Sequence, residues 1–374
     1  NDPAAPEIYT LSLHDALPIW SVSTGGQYMI RVLIVDDSAL MRNVLRDLLS
    51  SAPDISVVGE ATNGLAGLEK AESLKPDIIT MDLDMPIMDG VTATKRIMAE
   101  HPVPVLVFSA SAETRAGFAA LEAGARDVLL KPDIDKLNDE VFRRSFCEKV
   151  RVIARSAPRL SLPRTDAVLQ SAGVGRSPAG ALANGIGAVV IGASTGGPVA
   201  VRQVLSSLPA DFPVGIALVQ HLEDGFDAGY AQWLGEGCKL KVRLAGKAPA
   251  AFEAGTVIVA PVNKHLVVNA GSMMLDDGAR VVNQKPAVDV LFRTASAWFG
   301  PRLVGVLLTG MGRDGADGCK AIVDASGRTL VQDKETSAIY GMPKAAAELG
   351  AATEVLPLAA IGPRLVELVQ RVGR

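Results

Sequence analysis

The stretch Val189–Pro198, VVIGASTGGP, decides the fold that the sequence predicts. Apolar, β-forming residues run directly into Gly192, and glycines and a proline follow a short polar cluster, a pattern typical of a buried parallel strand that turns into a helix. Because open α/β sheets bind ligands beyond the carboxyl ends of their strands, this turn is a candidate site. It also matches G-x-S-x-G, a sharp turn that lifts a serine hydroxyl clear of a sheet. An alternative remains, in which Ser194 or Thr195 only caps the helix.

The chain on both sides of this stretch alternates between short apolar runs and amphipathic segments. In the second half, further strands are predicted at 214–219, 256–260, 265–268, 303–308 and 329–331. In the first half, strands are predicted at 30–35, 55–60, 78–81, 105–108 and 128–130. Such alternation indicates α/β domains built on doubly wound parallel sheets. We therefore predict one domain over residues 29–155 and a second over residues 188–374.

The remaining segments do not fit either domain. Residues 156–187 are rich in proline, glycine, alanine and serine and lack an apolar period, so they are predicted to be a flexible linker. Residues 1–28 have neither the charged start nor the apolar core of a signal peptide. We interpret them as a non-native leader and expect Met29 to be the natural start.

The composition narrows the class of protein further. The 374 residues are 48% hydrophobic and carry a net charge of −4. This balance suits two globular domains and gives no broad attraction to nucleic acid or to anionic membranes. The three cysteines show no paired spacing, which predicts a reduced cytoplasm and no structural zinc. No uncharged apolar run is long enough to span a membrane.

Acidic residues gather at the predicted strand ends of the first domain. Asp36 and Asp37 follow the first strand, Asp82 the third, Ser109 the fourth and Lys131 the fifth. Mg²⁺ prefers a few carboxylate oxygens together with phosphate oxygens and water. A carboxylate that accepts a phosphoryl group needs such a metal and a fixed cation beside it. Loop acids alone would be unremarkable, but this combination predicts a phosphoryl-transfer site.

Histidine and aspartate follow predicted strand ends in the second domain. Serine hydrolysis needs a base for the hydroxyl proton and a carboxylate that orients the imidazole. His221 directly follows a strand, whereas His265 lies inside one and is better explained as a packed or edge side chain. Asp314 lies in a glycine-rich turn whose N–H groups are suited to an oxyanion. Its competitors are Asp224, Asp289 and Asp333. The order Ser194, His221, Asp314 differs from that of α/β-hydrolases.

The first domain resembles the receiver domain of two-component response regulators. The matching residues are DDSALMR at 36–42, MDLDMPIMDG at 81–90, FSA at 108–110 and KP at 131–132. The resemblance implies a flavodoxin-like fold with Asp82 as phosphoacceptor and Asp36, Asp37 and Asp82 as ligands of Mg²⁺. It also implies that Ser109 and Lys131 contact the phosphoryl group. Val128 stands where receivers usually carry an aromatic residue, so the usual aromatic route of output is not expected.

The second domain resembles the catalytic domain of the chemotaxis protein-glutamate methylesterases (CheB). The matching residues are IGASTGGP at 191–198, QHLEDGF at 220–226, VAPVNKHL at 259–266, AVDVLF at 287–292, LLTGMGRDGADG at 307–318 and YGMPKAA at 340–346. The resemblance implies a Rossmann-like three-layer fold with Ser194 as nucleophile, His221 as base and Asp314 as its orienting acid. It also implies an oxyanion donor at the Met311 N–H, with Thr195 lining the site. Lys334 departs from the acidic residue usual at its position.

The same resemblance implies the partners. Its substrates would be methyl-accepting chemotaxis receptors, whose glutamate methyl esters are hydrolysed and whose glutamines can be deamidated. A sensor histidine kinase would be the phosphodonor, and the esterase reaction would need no cofactor. Neither nucleic acid nor membrane insertion is expected.

Two other classes of protein each share one feature with this sequence. In a short-chain dehydrogenase, a Y-x-x-x-K pattern such as Tyr340–Lys344 lies on one helix, but Gly341 and Pro343 disfavour that helix here. A DNA-binding response regulator would carry a small basic helical output module, and the second half shows no basic cluster.

Overall fold

The structure is a computed structural model, and it describes residues 28–110, 115–132, 139–156 and 185–370. The predicted leader, apart from Tyr28, and residues 157–184 of the predicted linker lie outside the described residues. The Tyr28 hydroxyl donates a hydrogen bond to Asp77 Oδ1 (2.8 Å). The residue before Met29 therefore contacts the residue that directly precedes the strand Ile78–Asp82.

In the described residues of the first half, five strands alternate with five helices. They are β1 (Ile30–Val35), α1 (Ala39–Ser50), β2 (Ile55–Ala61), α2 (Gly64–Leu74), β3 (Ile78–Asp82), α3 (Gly90–Glu100), β4 (Val105–Ser109), α4 (Arg115–Glu122), β5 (Asp127–Leu130) and α5 (Glu140–Ala154). All the strand pairs are parallel, in the order β2-β1-β3-β4-β5. This is the flavodoxin-like order. Each predicted strand is present, with its ends shifted by at most one residue.

Side chains at the helix starts explain why the chain leaves each strand where it does. Ser38, Asn63 and Asp89 precede α1, α2 and α3, and each side chain accepts a backbone N–H three residues ahead. Such caps satisfy amide groups that have no partner inside the helix. β1 and β3 are almost wholly buried between helices on both faces, whereas the edge strand β2 is mostly half-buried. The acidic residues that follow β1 and β3 are thereby fixed at the carboxyl edge of the sheet.

The second half contains a larger α/β unit. Its elements are β6 (Ala188–Ala193), α6 (Gly197–Ser206), β7 (Ile216–Gln220), α7 (Phe226–Gly237), β8 (Lys241–Leu244), β9 (Ala250–Ala251), β10 (Thr256–Val259), β11 (His265–Asn269), β12 (Ser272–Asp276), α8 (Val288–Phe299), β13 (Leu303–Leu307), α9 (Ala316–Asp324), β14 (Arg328–Gln332), α10 (Met342–Glu348), β15 (Glu354–Leu356) and α11 (Leu358–Gln370).

The main sheet of this unit is parallel and has the order β15-β14-β13-β6-β7-β10-β8. The chain proceeds from β6 to β7 on one side and later adds β13 on the other side. The strand order therefore reverses between β6 and β13, and the carboxyl ends at such a reversal form a crevice. Apolar clusters fill both faces of the sheet, one under α6, α7 and α11 and the other under α8 and α9. The turn after β6 opens into this crevice, as predicted.

The sequence prediction was incomplete at the margins of this unit. β11, predicted as a strand, belongs to a separate antiparallel sheet with the order β11-β12-β9. Strands β8, β9, β12 and β15 were not predicted. Three of them are half-exposed edge strands without a long apolar run. β12 is the middle strand of a small hairpin sheet, and its apolar run is only three residues long. No helix in the described ranges is long and apolar enough to cross a membrane.

Candidate active site

Ser194 lies at the carboxyl end of β6, in the centre of the main sheet. Its N–H donates to Thr309 O (3.0 Å), and its own carbonyl accepts the Gly197 N–H (2.7 Å). Helix α6 begins after Gly196, which adopts a φ of +74° and caps the helix without a side-chain hydrogen bond. The interpretation of Ser194 or Thr195 as a helix cap is therefore wrong. The serine instead lies in a sharp turn between strand and helix.

His221 follows the neighbouring strand β7 and lies beside this turn. Its N–H donates to Ala193 O (3.0 Å), because Gln220 pairs with Ala193 at the ends of the two parallel strands. Its ring Nε2 lies 2.8 Å from Asp314 Oδ2. An ionised carboxylate only accepts hydrogen bonds, so Nε2 carries the proton. Nδ1 is buried and has no hydrogen-bond partner, which leaves it as the basic nitrogen.

Asp314 is the acid that the structure places against this histidine. It is 2% exposed and also accepts the N–H groups of Val288 (2.8 Å) and Asp289 (3.0 Å), at the start of α8. The competing acids lie elsewhere. Asp224 is exposed near Asn263, Asp333 caps the turn at Thr336, and Asp289 binds backbone N–H groups near the start of α9.

His265 is a packed side chain, as predicted. It is 1% exposed, and its Nδ1 accepts the Ala287 N–H (3.2 Å) while its Nε2 donates to Ala279 O (2.9 Å). This pair of bonds fixes a neutral imidazole in one tautomer. The histidine thus anchors the segment before α8 and does not reach the serine turn.

The glycine-rich turn after β13 approaches the serine closely. A Cβ on Gly310 would lie 2.8 Å from Ser194 Cβ and 2.2 Å from Met342 Sδ, so no larger residue fits. The Gly310 carbonyl accepts N–H groups from Gly341 and Met342. In the described residues, no acceptor takes the N–H of Met311, the next residue. This N–H is therefore available to an oxyanion beside the serine.

The arrangement of Tyr340 and Lys344 differs from that of a dehydrogenase. Tyr340 forms an isolated bridge with Gly310 before the helix, whereas Lys344 lies within α10 and pairs with Glu348. The two side chains do not share a helical turn. This removes the structural basis of the dehydrogenase interpretation.

Gln220 is a site residue that the sequence analysis missed. Its buried side-chain amide donates from Nε2 to the carbonyls of Ser194 (2.8 Å) and His221 (3.0 Å). One side chain therefore ties together the backbones of the serine and the histidine. A lone glutamine at a strand end carries no recognisable pattern. Only its position beside His221 could have drawn attention to it.

The acids of the first unit also converge. Carboxylate oxygens of Asp36, Asp37 and Asp82 lie within 4.8 Å of one another. Lys131 Nζ lies 2.7 Å from Asp82 Oδ2 and 3.0 Å from Asp36 Oδ2, and Ser109 is fully buried at the end of the adjacent β4. Burial raises the pKa of Asp82 despite the hydrogen bond from Lys131. Three clustered oxygen donors that repel one another suit a hard cation such as Mg²⁺.

An aromatic contact joins the two units. Helix α4 packs against α6 and α7, where the Phe118 ring stacks on Trp233 with ring centroids 5.3 Å apart. Tyr230 and Phe226 complete the cluster. Trp233 Nε1 donates to Glu122 Oε1 (2.9 Å). Rings from both units therefore form one apolar surface, and Val128 lies at its border beside Gly117.

A polar contact lies next to the serine. The Thr195 hydroxyl donates to Asp127 Oδ2 (3.1 Å), and the same oxygen accepts a bond from Lys149 Nζ (3.0 Å). Burial lowers the pKa of Lys149, but the charges of Asp127 and Glu223 outweigh it and raise the pKa overall. Asp127 belongs to β5, while Glu223 follows His221. The first unit therefore contacts the serine turn through Thr195, and the charge of Glu223 acts on Lys149 from the histidine side.

Comparison with known proteins supports the two family resemblances found in the sequence, one for each unit. The family model described as CheB methylesterase matches residues 189–365, and the response regulator receiver domain model matches residues 32–142. The chain is 44% identical to protein-glutamate methylesterase/protein-glutamine glutaminase 2 of Anaeromyxobacter dehalogenans (strain 2CP-C), over 92% of this chain and 99% of that protein. The chain belongs to the CheB family.

A second CheB protein is similar over the same extent, and a solved CheB domain is similar over half of the chain. The protein-glutamate methylesterase/protein-glutamine glutaminase of Symbiobacterium thermophilum is 43% identical, over 92% of this chain and 98% of that protein. The crystal structure of the Thermotoga maritima CheB methylesterase catalytic domain is 36% identical, with a TM-score of 0.48, and covers 50% of this chain and all of that one. The two family models show that the chain combines a receiver domain with a hydrolase domain of the CheB type.

Proposed function

We propose that this chain is a phosphorylation-activated protein-glutamate methylesterase that acts through Ser194, His221 and Asp314. The observation that carries the proposal is the 2.8 Å contact between His221 Nε2 and Asp314 Oδ2 beside the serine turn. It leaves a buried, unpartnered Nδ1 as a base. The names of the relatives, protein-glutamate methylesterase/protein-glutamine glutaminase, supply the substrate class.

The positions of these residues support the following reaction. Ser194 Oγ attacks the side-chain carbonyl carbon of a methylated glutamate while His221 Nδ1 takes its proton. The Met311 N–H stabilises the oxyanion, and His221 returns the proton to the departing methanol. Water then attacks the acyl-enzyme with His221 as base and releases glutamate. A glutamine side chain would enter the same cycle with ammonia as the leaving group.

The receiver domain would supply the control. Asp36, Asp37 and Asp82 would hold Mg²⁺, which supplies charge neutralisation for phosphoryl transfer when it is bound. Asp82 would accept the phosphoryl group from the sensor histidine kinase of a chemosensory pathway. Lys131 and Ser109 would contact its oxygens. The substrates would be methyl-accepting chemotaxis receptors, and the chain would act in the cytoplasm without nucleic acid or membrane insertion.

The contact between the two units supports an inhibited resting state. Asp127 binds Thr195, the residue after the serine, and the aromatic cluster holds α4 on α7 beside His221. A receptor helix needs access to this edge of the sheet. Phosphorylation of Asp82 would favour a receiver conformation that leaves the interface and would shift the equilibrium towards an open enzyme. On this account, residues 29–155 are the regulatory domain, 156–187 the linker and 188–374 the catalytic domain.

The test is methanol release from methyl-labelled receptor membranes. Wild type, Ser194→Ala and Asp82→Asn are compared with and without acetyl phosphate and Mg²⁺. We expect Ser194→Ala to release no methanol in either state. Asp82→Asn should keep the basal rate and lose the stimulated rate. Release that survives in Ser194→Ala would disprove the serine mechanism, and undiminished stimulation of Asp82→Asn would disprove the proposed switch.

A further inference from the structure

Two buried aspartates, Asp289 and Asp314, cap neighbouring helices in exchange. Asp314 caps α8, which begins next to Asp289, and Asp289 caps α9, which begins next to Asp314. Helix α8 begins after Ala287, which offers no side-chain acceptor, and its first two N–H groups bind the Asp314 carboxylate. Helix α9 begins after Gly315, which has no side chain, and Asp289 Oδ1 accepts the N–H groups of Gly315 (3.0 Å) and Gly318 (2.6 Å). The exchange ties the starts of two neighbouring helices together.

This exchange fixes the turn that carries Asp314. Gly315 follows Asp314 directly and adopts a φ of +91°, so the peptide between them is oriented by the bond to Asp289. The same turn carries Met311 on its other side. Asp289 is 1% exposed, and Arg293 Nη2 lies 4.0 Å from its Oδ2. Its carboxylate is therefore buried, and it forms its hydrogen bonds with the backbone of the turn.

We propose that Asp289 is a positioning residue, which holds the Gly315 turn so that Asp314 Oδ2 points at His221 Nε2. The proposal rests on the proposed function, because it gives Asp314 its role in the triad. Asp289 touches neither the substrate nor the serine. Its effect on the reaction passes through Asp314, which directly precedes Gly315.

Physical chemistry favours this role over a general contribution to the core. A second buried carboxylate next to Asp314 is costly, and burial together with the charge of Asp314 raises the pKa of Asp289 against the bond from Gly318. An apolar side chain would avoid that cost if packing were the only need. The carboxylate oxygen provides two oriented acceptor bonds to one turn. Displacement of a catalytic group by about 1 Å can cost about 10²-fold in rate.

The test compares Asp289→Ala with Asp289→Asn in the full chain, by kcat, KM and the pH profile of methanol release. The asparagine keeps an oxygen that accepts the Gly315 and Gly318 N–H groups, so we expect its kcat to stay within about threefold of wild type. Alanine loses both bonds, and we expect a fall in kcat of about 10- to 100-fold with KM changed less than about twofold. The acid limb of the profile should move to lower pH with alanine, because a misaligned Asp314 stabilises the imidazolium less.

A double-mutant cycle separates positioning from loss of structure. In an Asp314→Ala background, Asp289→Ala should lower the residual kcat by less than about threefold, because the group it positions is absent. Equal falls with and without Asp314 would overturn the proposal. Asp317→Ala is the matched control, since Asp317 lies in the first turn of α9 and, among the residues that the structure describes, forms exposed ion pairs with Arg293 and Arg313 only. Activity that persists in Ser194→Ala would instead refute the proposed function itself.

Discussion

The Thr195 hydroxyl, one residue after Ser194, donates a 3.1 Å hydrogen bond to Asp127 on the receiver domain. A residue of the proposed catalytic turn is thus bound by the domain that would regulate it. Lys149 holds the same carboxylate oxygen from α5. A polar latch across the domain boundary is therefore formed by Asp127, Lys149 and Thr195. If the latch holds the domains together, weakening it should raise methanol release in the absence of phosphodonor.

Asp127→Ala removes the latch without altering the catalytic turn. A hydrogen bond of this kind contributes about 0.5–1.5 kcal/mol, so we expect methanol release without phosphodonor to rise about 2- to 13-fold. The rate with phosphodonor should change little, because the domains are then already apart. Asp47→Ala is the matched control, since Asp47 is an exposed acid on α1, away from the interface. A resting rate equal to that of wild type would contradict the role of the latch.

Phe118→Ala removes the ring that stacks on Trp233. Loss of the aromatic pair and of its buried area weakens the closed state by at least about 1–2 kcal/mol. We expect the unstimulated rate to rise about tenfold, measured by the same release assay. Phe142→Ala is a suitable control, because Phe142 stacks on Phe146 of α5 within the receiver domain. If both variants raise the rate equally, general loosening of the receiver is the cause and the interface is not.

Asp314→Asn should impair the reaction while keeping the fold. The asparagine oxygen can still accept an N–H from the start of α8, but its amide presents N–H groups to His221 Nε2. That arrangement favours the tautomer with a proton on Nδ1, which cannot accept the serine proton. By analogy with serine proteases, kcat should fall about 10³- to 10⁴-fold. Thermal unfolding would confirm the fold, and a kcat within tenfold of wild type would argue against Asp314 as the orienting acid.

Arg151→Lys tests the stability of the receiver domain. Arg151 binds both oxygens of Asp54 at 2.8 Å, and this bond lowers the pKa of Asp54. A lowered pKa adds stability above the unfolded value, near pH 3.9, and that stability is lost as the pH falls through the folded value. A lysine cannot bind both oxygens.

We therefore expect a loss of at most about 1 kcal/mol in the free energy of unfolding at pH 7, because the pair is partly solvated. The loss should decrease as the pH falls below the unfolded pKa of an aspartate, about 3.9, and should disappear once the pH is below the lowered pKa of Asp54 in the folded protein. Urea unfolding at several pH values measures it. Arg144→Lys, in an exposed pair with Glu140, serves as control. A difference that is constant with pH would assign the loss to packing.

The sequence predicted those parts of the fold and site that depend on local pattern. Apolar runs located the central strands, and the residues at their ends located His221, Asp314 and the acids of the receiver. The sequence did not predict contacts between residues that are far apart in the chain. The antiparallel partner of β11 is chosen by pairing across a hairpin, and β8 alternates between exposed and half-buried residues with no apolar run. Gln220 and the Asp289–Asp314 exchange become visible only when neighbouring elements meet.

The shared aromatic surface between the two domains sets a limit on signalling. If the closed form outnumbers the open form by 99 to 1, resting activity is about 1% of the maximum, and no input can raise it more than about 100-fold. A tighter interface would lower the resting activity, but phosphorylation would then have to contribute more free energy to open the interface. On the proposed function, the contact between Phe118 and Trp233 would set the background rate, the dynamic range and the sensitivity to input together, and a change that improves one of them would alter the other two.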